Sequence, residues 1–503
     1  MSDTASMASA LSDSVDVAAL AELAGKALEE GEEEHALSLI ARGAEKANAA
    51  LLWQWKALLE RSLDEHEQAL ASFDKAARLA PADVGIAHGH ARTAMEAGLD
   101  ARALYERVVA LAPKGGQILV GQAAARAAMG EGDRAIADLQ AALEQAPAWL
   151  YGHEQLAQLM ATEGRAAEAT SSLERALARF PNAQPLWETL LNVQLRRGAY
   201  GSLLDIVGRA RAAGVSTPEF QIYEGIHAAE FGEEAKPAAL FGSFPDPVDK
   251  ALESWRIRHL LRVGEAEAAL PLIDRQLAGT VSAEIWAYTA TAWRMAGDPR
   301  SEWLEGDPAF VQVIDLSDTL PPIDKLAETL RALHVAKGEY LDQSVRGGTQ
   351  TDGPLLSRID PAIQHLRRAI VGAVEGYKAQ LPPIDEKHPL LRHPRDRRVR
   401  FTGSWSVRLR SKGHHSNHVH PLGWISSALY VALPKRREGE REDAGWFTLG
   451  EPDEKLGIHL PPWRKIEPKP AQLVLFPSWM WHGTVPFEDG ERLTVAFDVG
   501  VPR

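Results

Sequence analysis

The chain has 503 residues, of which 45% are hydrophobic and 25% charged, with a formal net charge of -14 and no cysteine. This length exceeds the roughly 250 to 300 residues that one hydrophobic core supports, so two or more domains are expected. The absence of cysteine excludes disulfides, thiolate metal ligands and cysteine nucleophiles. The acidic balance argues against a general nucleic-acid binder, because phosphate contacts need clustered cations.

Residues 1–15 contain acidic side chains and no basic segment ahead of an apolar stretch, so they do not resemble a signal peptide. No apolar run approaches the roughly 20 residues that cross a bilayer. We therefore expect a disordered leader over 1–15 and a cytoplasmic protein that contacts neither membrane nor nucleic acid.

A sequence repeat follows the leader. Four segments ending in proline, AARLAP, VVALAP, AALEQAP and ALARFP, close at positions 81, 113, 147 and 181, and a glycine lies between successive prolines or just after the last, at 98, 130, 164 and 198. The glycine permits a turn between two helices, and the proline stops the second helix. This pattern resembles the tetratricopeptide repeat, a helix-turn-helix unit of about 34 residues. The resemblance implies an all-α solenoid of roughly eight to nine repeats over 16–300.

A solenoid of this kind presents an extended concave surface. We expect it to bind a protein or peptide partner. A spacer or dimerisation arm is the alternative, which leaves a homo-oligomer open.

After about residue 300 the repeat period is lost, and a second domain over 305–503 is expected. Two helical stretches, PIDKLAETLRALHVAKG and IDPAIQHLRRAIVGAVEGYKAQL, are separated by DQSVRGGTQTDGPLL, which we interpret as an ordered loop. From 399 to 503, short apolar segments alternate with turn residues and predict an antiparallel β core. The basic segment RHPRDRRVR at 392–400 is interpreted as a solvated link into the first strand. The predicted fold class is thus multidomain α + β.

Four histidines occur in GHHSNHVHP, residues 413–421. His418 and His420 are two residues apart, so in an extended segment both rings project to the same side and can face one metal ion. A distant histidine, His482, follows the strand-like run LVLFP, and Arg492 and Thr494 lie two residues apart on a later strand. A guanidinium beside a hydroxyl suits a carboxylate, which it can bind bidentately.

Alternatives to this ligand set remain open at this point. His414 or His415 could replace one ligand, and Asp498 could supply a carboxylate from the last strand. A polar surface strand without metal is also compatible with a lone His-x-His pair. A cupin would use His-x-His with a later Pro-x4-His, as in Pro477 and His482, but the glutamate that usually follows the pair is missing.

Three segments resemble the 2-oxoglutarate- and Fe(II)-dependent oxygenases, and in particular a family often fused behind tetratricopeptide repeats. They are QSVRGGTQT at 343–351, HVHPLGWISSALYVALP at 418–434, and LVLFPSWMWHGTVPF with RLTVAFDV within 473–499. The resemblance covers about 305–503 and implies a double-stranded β-helix, or jelly roll, with flanking helices.

The same resemblance implies the site. Iron would be bound by His418, His420 and His482, and 2-oxoglutarate by Arg492 and Thr494, with O2 as co-substrate and ascorbate as a possible reductant. No catalytic residue is implied beyond the metal centre. The family usually has a carboxylate where this chain has His420, so three neutral imidazoles leave the site one negative charge short.

Four further residues are candidates for the mouth of the active site: Arg346, Gln350, Thr351 and Trp481. For the first three the alternative is a structural brace, and for Trp481 it is core packing.

The expected function is a 2-oxoglutarate-dependent dioxygenase that hydroxylates a protein or peptide side chain captured with the help of the repeats. Two alternatives are the same chemistry on a small metabolite and a non-catalytic, cupin-like metal-binding interaction protein.

Overall fold

The structure is a computed structural model that describes residues 3–11, 16–233, 235–244, 250–279, 283–341 and 343–502. The helices are α1 Asp3–Ala10, α2 Val17–Glu30, α3 Glu33–Ala47, α4 Ala50–Ser62, α5 His66–Leu79, α6 Val84–Glu96, α7 Arg102–Leu111, α8 Gly116–Ala128, α9 Gly132–Gln145, α10 Leu150–Thr162, α11 Ser171–Arg179, α12 Gln184–Arg196, α13 Leu203–Ala212, α14 Phe220–Glu230, α15 Ala235–Gly242, α16 Lys250–Arg262, α17 Ala266–Leu277, α18 Ala283–Ala296, α19 Ile323–Ala332 and α20 Pro361–Gln380. The strands are β1 Gln312–Asp315, β2 Val345–Gln350, β3 Phe401–His415, β4 Ile425–Ala432, β5 Phe447–Leu449, β6 Arg464–Ile466, β7 Gln472–Pro477, β8 His482–Thr484 and β9 Arg492–Val499.

Helices α2 to α17 form successive pairs, and α18 follows them as an additional helix. Each pair buries an apolar stripe, as in α2, where Leu20, Leu23, Ala24 and Ala27 recur at helical spacing and are buried. The turn inside a pair is a single tight loop; at Gly98 the φ angle is 79°, which favours glycine. The predicted helical repeats are therefore confirmed.

The predicted disorder of residues 1–15 is wrong for α1. Thr4 Oγ1 donates a hydrogen bond to Glu30 Oε2 at 2.8 Å, and Lys26 Nζ lies 2.9 Å from Asp3 Oδ2. These contacts hold α1 against α2. Residues 1–2 and 12–15 lie outside the described part of the chain.

The second domain contains two antiparallel sheets, in the arrangement expected of a jelly roll. The larger sheet has the strand order β1-β7-β4-β9-β3-β2 and the smaller one β6-β5-β8. The core of this domain contains fully buried side chains such as Leu429, Leu475 and Phe497. The rings of Phe447 on β5 and Phe476 on β7 lie 5.3 Å apart, which joins the two sheets.

The predicted boundary of the β core at residue 399 is wrong, because two earlier segments join the larger sheet. β1 pairs with β7, and β2 pairs with β3. β2 lies inside the segment that we interpreted as a loop. Its glycines weakened the strand signal, since Gly347 and Gly348 have no side chains to show alternation.

The two predicted helices of this domain are confirmed as α19 and α20. Asp360 caps α20, because its carboxylate accepts hydrogen bonds from the backbone N–H groups of Ala362 and Ile363. Leu326 and Leu330 of α19 and Leu366 of α20 belong to the same hydrophobic core as the sheets.

The β domain lies against the turns of the helical pairs. The backbone N–H of Ile359 donates to Ala97 O at 3.1 Å, and that of Lys337 donates to Thr162 O at 2.8 Å. Further along the array, the Arg294 side chain on α18 donates to the carbonyl of Gly450.

The basic segment 392–400 is part of this junction, so its interpretation as a solvated link is wrong. Arg400 lies 2.6 Å from Glu33 Oε2 and also donates to Gly31 O, in the first pair. Arg398 lies 3.2 Å from Glu65 in the second pair. The cations neutralise acidic turns that the sequence places more than 300 residues away.

We predict that Arg400→Ala destabilises the junction by about 2 kcal/mol, because it leaves the Glu33 carboxylate, which is 2% exposed, without its cation. The measurement is urea unfolding followed by tryptophan fluorescence. The matched control is Arg410→Ala, at an exposed position of β3, the strand that begins directly after Arg400. Equal losses of unfolding free energy in the two variants would contradict a stabilising role of the Arg400–Glu33 ion pair.

Candidate metal centre and adjoining cavity

The three predicted histidine ligands meet where two distant chain segments pair. The backbone N–H of His418 donates to His482 O at 3.0 Å, and the N–H of His482 donates to His418 O at 3.0 Å. The N–H of His420 donates to Ser478 O, also at 3.0 Å. These backbone bonds place the segment after β3 alongside the turn that leads from β7 into β8.

His418, His420 and His482 form the group of potential metal ligands found in the described residues, with ligand atoms within 4.8 Å of one another. The Nε2 atoms of His418 and His420 are 3.1 Å apart. The ring of His482 lies 4.2 Å from that of His418 and 4.8 Å from that of His420, measured between centroids. The structure thus brings together the three side chains that the sequence pattern selected.

Hydrogen bonds on the outer side of each ring fix its tautomer. Nδ1 of His418 donates to Ser416 O at 2.8 Å, and Nδ1 of His482 donates to Met480 O at 2.9 Å. Nδ1 of His420 lies 2.6 Å from Asp498 Oδ1. Because carbonyl and carboxylate oxygens only accept, each Nδ1 carries the proton and each Nε2 offers a lone pair to the cluster.

Burial keeps the imidazoles of His418 and His482 neutral. Desolvation and the nearby His420 lower the pKa of His418 to about 3, and desolvation together with the neighbouring histidines lowers the pKa of His482 well below its usual range. The neutral ring is the form that binds a metal ion.

The alternative ligands occupy other positions. Asp498 lies behind His420 rather than within the cluster. His414 points towards the carbonyl of Lys412, 3.5 Å from its Nδ1. His415 faces the site, since Ser344 Oγ lies 3.0 Å from its Nδ1 and 3.1 Å from His418 Nε2.

A small cavity of about 50 Å³ adjoins the cluster. Its lining is Gln343, Ser344, Gln350, Trp405, Val407, His415, His418, His420, Ser427, Ala428, Phe447, His482, Gly483, Thr484, Arg492, Thr494 and Ala496. The cavity therefore connects the three histidines with the predicted carboxylate-binding pair.

Arg492 and Thr494 lie on one face of β9, and both are buried. Tyr430 on β4 pairs in register with Thr494, and its ring lies 5.1 Å from the guanidinium carbon of Arg492. Arg492 Nε and Tyr430 Oη are buried without a hydrogen-bond partner among the described residues. Burial lowers the pKa of Arg492 and raises that of Tyr430 to about 12, so the site offers a cation beside a neutral hydroxyl.

The four candidates for the mouth of the site fall in different places. Gln350 lines the cavity. Thr351 braces β2 against β3, because it exchanges hydrogen bonds with the backbone of Ser406. Arg346 donates to the carbonyls of Gln343 and Val345 on its own segment.

Trp481 is placed in the junction with the helical array, so its assignment to the mouth is wrong. Its Nε1 donates to Thr291 Oγ1 at 3.0 Å, and its ring lies 6.0 Å from that of Tyr288. Trp481 immediately precedes β8, and adjacent residues of an extended segment point in opposite directions, which separates Trp481 from His482.

Tyr430, Ser344 and the position of Asp498 were missed by sequence reasoning. Tyr430 lies in the apolar run WISSALYV, where an aromatic residue indicates core packing. Asp498 carried one usable signal: it follows Arg492 and Thr494 at even spacing, and residues at even spacing share a strand face.

Residues 403–498 match the model of a protein family described as "Putative 2OG-Fe(II) oxygenase". Among curated proteins, none matches this chain.

Similar solved structures include a tetratricopeptide repeat protein from Parabacteroides merdae, with 16% identity, 47% of this chain and 96% of that chain covered, and a TM-score of 0.30. YrrB, described as a TPR protein with an unusual peptide-binding site, is 17% identical, and the match covers 36% of this chain and 96% of YrrB with a TM-score of 0.29. TTC0263 from Thermus thermophilus is 19% identical, and the match covers 36% of this chain and 99% of TTC0263 with a TM-score of 0.27.

We predict that His482→Ala removes metal binding, because two imidazoles do not make up the three-residue ligand set typical of non-haem Fe(II) sites. Metal content after anaerobic loading with Fe(II) is the measurement. His414→Ala is the matched control, since this ring points towards Lys412 O, and it should keep the metal content of the unmodified protein. Loss of metal in both variants, or in neither, would contradict the assignment.

Proposed function

We propose that this chain, a tetratricopeptide-type helical array joined to a 2-oxoglutarate/Fe(II) oxygenase-like domain, is a 2-oxoglutarate- and Fe(II)-dependent dioxygenase that hydroxylates a protein or peptide side chain. One observation carries the proposal. One cavity is lined by the three histidines and by Arg492 and Thr494, and Arg492 Nε is buried without a hydrogen-bond partner among the described residues.

The histidine cluster fits a divalent transition metal. Imidazole is a ligand for Fe(II), and three ligands on one side leave further coordination positions for a bidentate co-substrate and O2. His418, His420 and His482 would hold the ion. Their outer hydrogen bonds keep the rings oriented, so little reorganisation accompanies metal binding.

The other end of the cavity fits a carboxylate. A buried guanidinium without a counter-ion is costly, and an anionic ligand with two oxygens offsets that cost. Arg492 would pair with the carboxylate of 2-oxoglutarate remote from the metal. Tyr430 and Thr494 have hydroxyls on the same side and can donate to it.

When bound, Fe(II) with 2-oxoglutarate and O2 supplies an oxidative decarboxylation that yields succinate and CO2 and inserts one oxygen atom into a substrate C–H bond. The protein contributes position and enclosure. Arg492 orients the co-substrate, and the apolar walls formed by Val407, Phe447 and Ala428 exclude bulk water.

A groove between the two domains supports a peptide substrate. It has a cavity volume of about 450 Å³ and lies between helices α6, α8 and α10 on one side and the segments 332–340 and 352–358 on the other. Leu99, Met129 and Val335 line it and are 45%, 46% and 48% exposed. Large exposed apolar side chains around one groove indicate a surface that binds a partner.

The floor of the groove suits an extended backbone. Small residues of α8, including Ala124 and Ala128, allow a chain to approach closely. Residues on either side of β2 line both spaces, because Tyr340 and Pro354 line the groove while Ser344 and Gln350 line the metal cavity. A peptide in the groove would thus lie beside the wall of the reaction site.

We predict that Arg492→Ala weakens 2-oxoglutarate binding by about 10- to 100-fold, the loss expected for a charge-assisted hydrogen bond of ~1.5–3 kcal/mol. Metal binding should remain, since Arg492 is not a ligand. The measurement is succinate release as a function of 2-oxoglutarate concentration. Arg408→Ala is the control, because Arg408 pairs with Glu491 outside the cavity. An unchanged dependence in Arg492→Ala would refute the anchor.

We predict that Ala128→Trp, which fills the groove, lowers hydroxylation of peptides at least tenfold but leaves substrate-independent succinate release unchanged. The measurement is mass spectrometry of a synthetic peptide library, in which a hydroxylated peptide gains one oxygen atom. The control is Ala110→Trp, at an exposed position on α7 outside the groove. Oxygen gain in small metabolites and in no peptide would favour the metabolite alternative, and no succinate release under any condition would favour a non-catalytic protein.

A further inference from the structure

Asp498 lies directly behind His420, on the side of the ring opposite the cluster. Its Oδ1 is 2.6 Å from His420 Nδ1 and 2.5 Å from Ser426 Oγ. Asp498 is 7% exposed and Ser426 is fully buried. The carboxylate therefore interacts with the imidazole in a site from which water is largely excluded.

The position of Asp498 follows from β9. Arg492, Thr494, Ala496 and Asp498 alternate with core residues and share one face of the strand. The first three line the cavity. One strand face thus has a cation at the co-substrate end and an anion at the metal end.

The three histidines are not equivalent in their outer contacts. His418 and His482 donate to neutral backbone carbonyls, whereas His420 donates to a carboxylate. A hydrogen bond to an ionised acceptor is roughly twice as strong as one between neutral groups and makes the ring a better electron donor. His420 is also the position at which the sequence has an imidazole where a ligating carboxylate was expected.

We propose that Asp498 is a positioning residue that supplies, through His420, the negative charge that a carboxylate ligand would supply directly. The inference rests on the proposed metal site. The charge sits one side chain further from the metal, where it orients the His420 ring and raises its strength as a ligand.

A bracing role is the competing explanation. Ser426 Oγ lies 2.9 Å from Ser478 Oγ as well as close to Asp498, so the carboxylate could act only by tying β4 to β9 and to the turn after β7. The two roles differ in what they depend on. Electronic support needs the charge and His420, whereas bracing needs Ser426.

The experiment is anaerobic titration of the full-length apo-protein with Co(II), a spectroscopic substitute for Fe(II), followed by visible absorption. Asp498→Asn keeps the size and one acceptor but removes the charge. We expect it to weaken Co(II) binding by about 10- to 100-fold, as for other outer contacts of metal-bound histidine, and to shift the ligand-field bands. Glu305→Gln removes another buried carboxylate, one that bonds Trp463 rather than a histidine, and should leave both readouts unchanged.

A double-mutant cycle tests the route through His420. In the His420→Asp background, which keeps three ligands and places a carboxylate directly on the metal, Asp498→Asn should cause less than about a twofold further loss, because residues that act through one another are not additive. Full additivity would overturn the proposal. Ser426→Ala, which retains the carboxylate and His420, should change the affinity less than about threefold.

The remaining outcomes are also decisive. An affinity and spectrum of Asp498→Asn equal to those of the unmodified protein would overturn the inference while leaving the metal site intact. A loss in Ser426→Ala as large as in Asp498→Asn would establish bracing instead. If the unmodified protein bound no Co(II), the proposed function itself would fail and the inference with it. Circular dichroism of each apo-variant shows whether it is folded.

Discussion

The site depends on the pair of backbone hydrogen bonds between His418 and His482. These residues are 64 positions apart, yet each donates its N–H to the carbonyl of the other. Backbone bonds of this kind fix the relative height of two segments to within a fraction of a residue. The histidine side chains then project from this hydrogen-bonded frame. The His420 side chain projects to the same side, because His420 lies two residues further along the chain and its backbone N–H donates to Ser478 O.

The larger sheet extends this frame into the wall of the cavity. β9 lies between β4 and β3, so its cavity-facing residues are flanked by Tyr430 on one side and by Val407 and Trp405 on the other. The opposite charges of Arg492 and Asp498 at the two ends of this strand face set the electrostatic polarity of the cavity. A dianionic co-substrate between a cation and a metal ion would follow that polarity.

The helical array is fixed to this domain rather than tethered beside it. Arginines of the β domain neutralise acidic turns of the first two helical pairs, and Trp481 is buried against α18, one residue before a predicted metal ligand. The groove between the domains therefore has two rigid walls. A flexible linkage would not maintain a fixed distance between a bound peptide and the cavity.

The sequence was sufficient for features that depend on local spacing. Helical repeats followed from the glycine and proline periods, and the pairing of His418 with His420 followed from the two-residue spacing of strand side chains. His482 was added through the family resemblance. It was insufficient where the meaning of a residue depends on what lies opposite. Gly347 and Gly348 concealed an edge strand, Arg398 and Arg400 found acidic partners more than 300 residues away, and Tyr430 resembled a core aromatic residue. Asp498 was considered as a ligand, and only the fold places its carboxylate behind His420.

The most direct test of the account is an anaerobic absorption titration of the Fe(II)-loaded protein with 2-oxoglutarate. We expect a visible charge-transfer band that saturates at one equivalent of co-substrate per metal ion, since the cavity joins the histidine cluster to Arg492. A protein that binds Fe(II) but develops no such band with 2-oxoglutarate would contradict it.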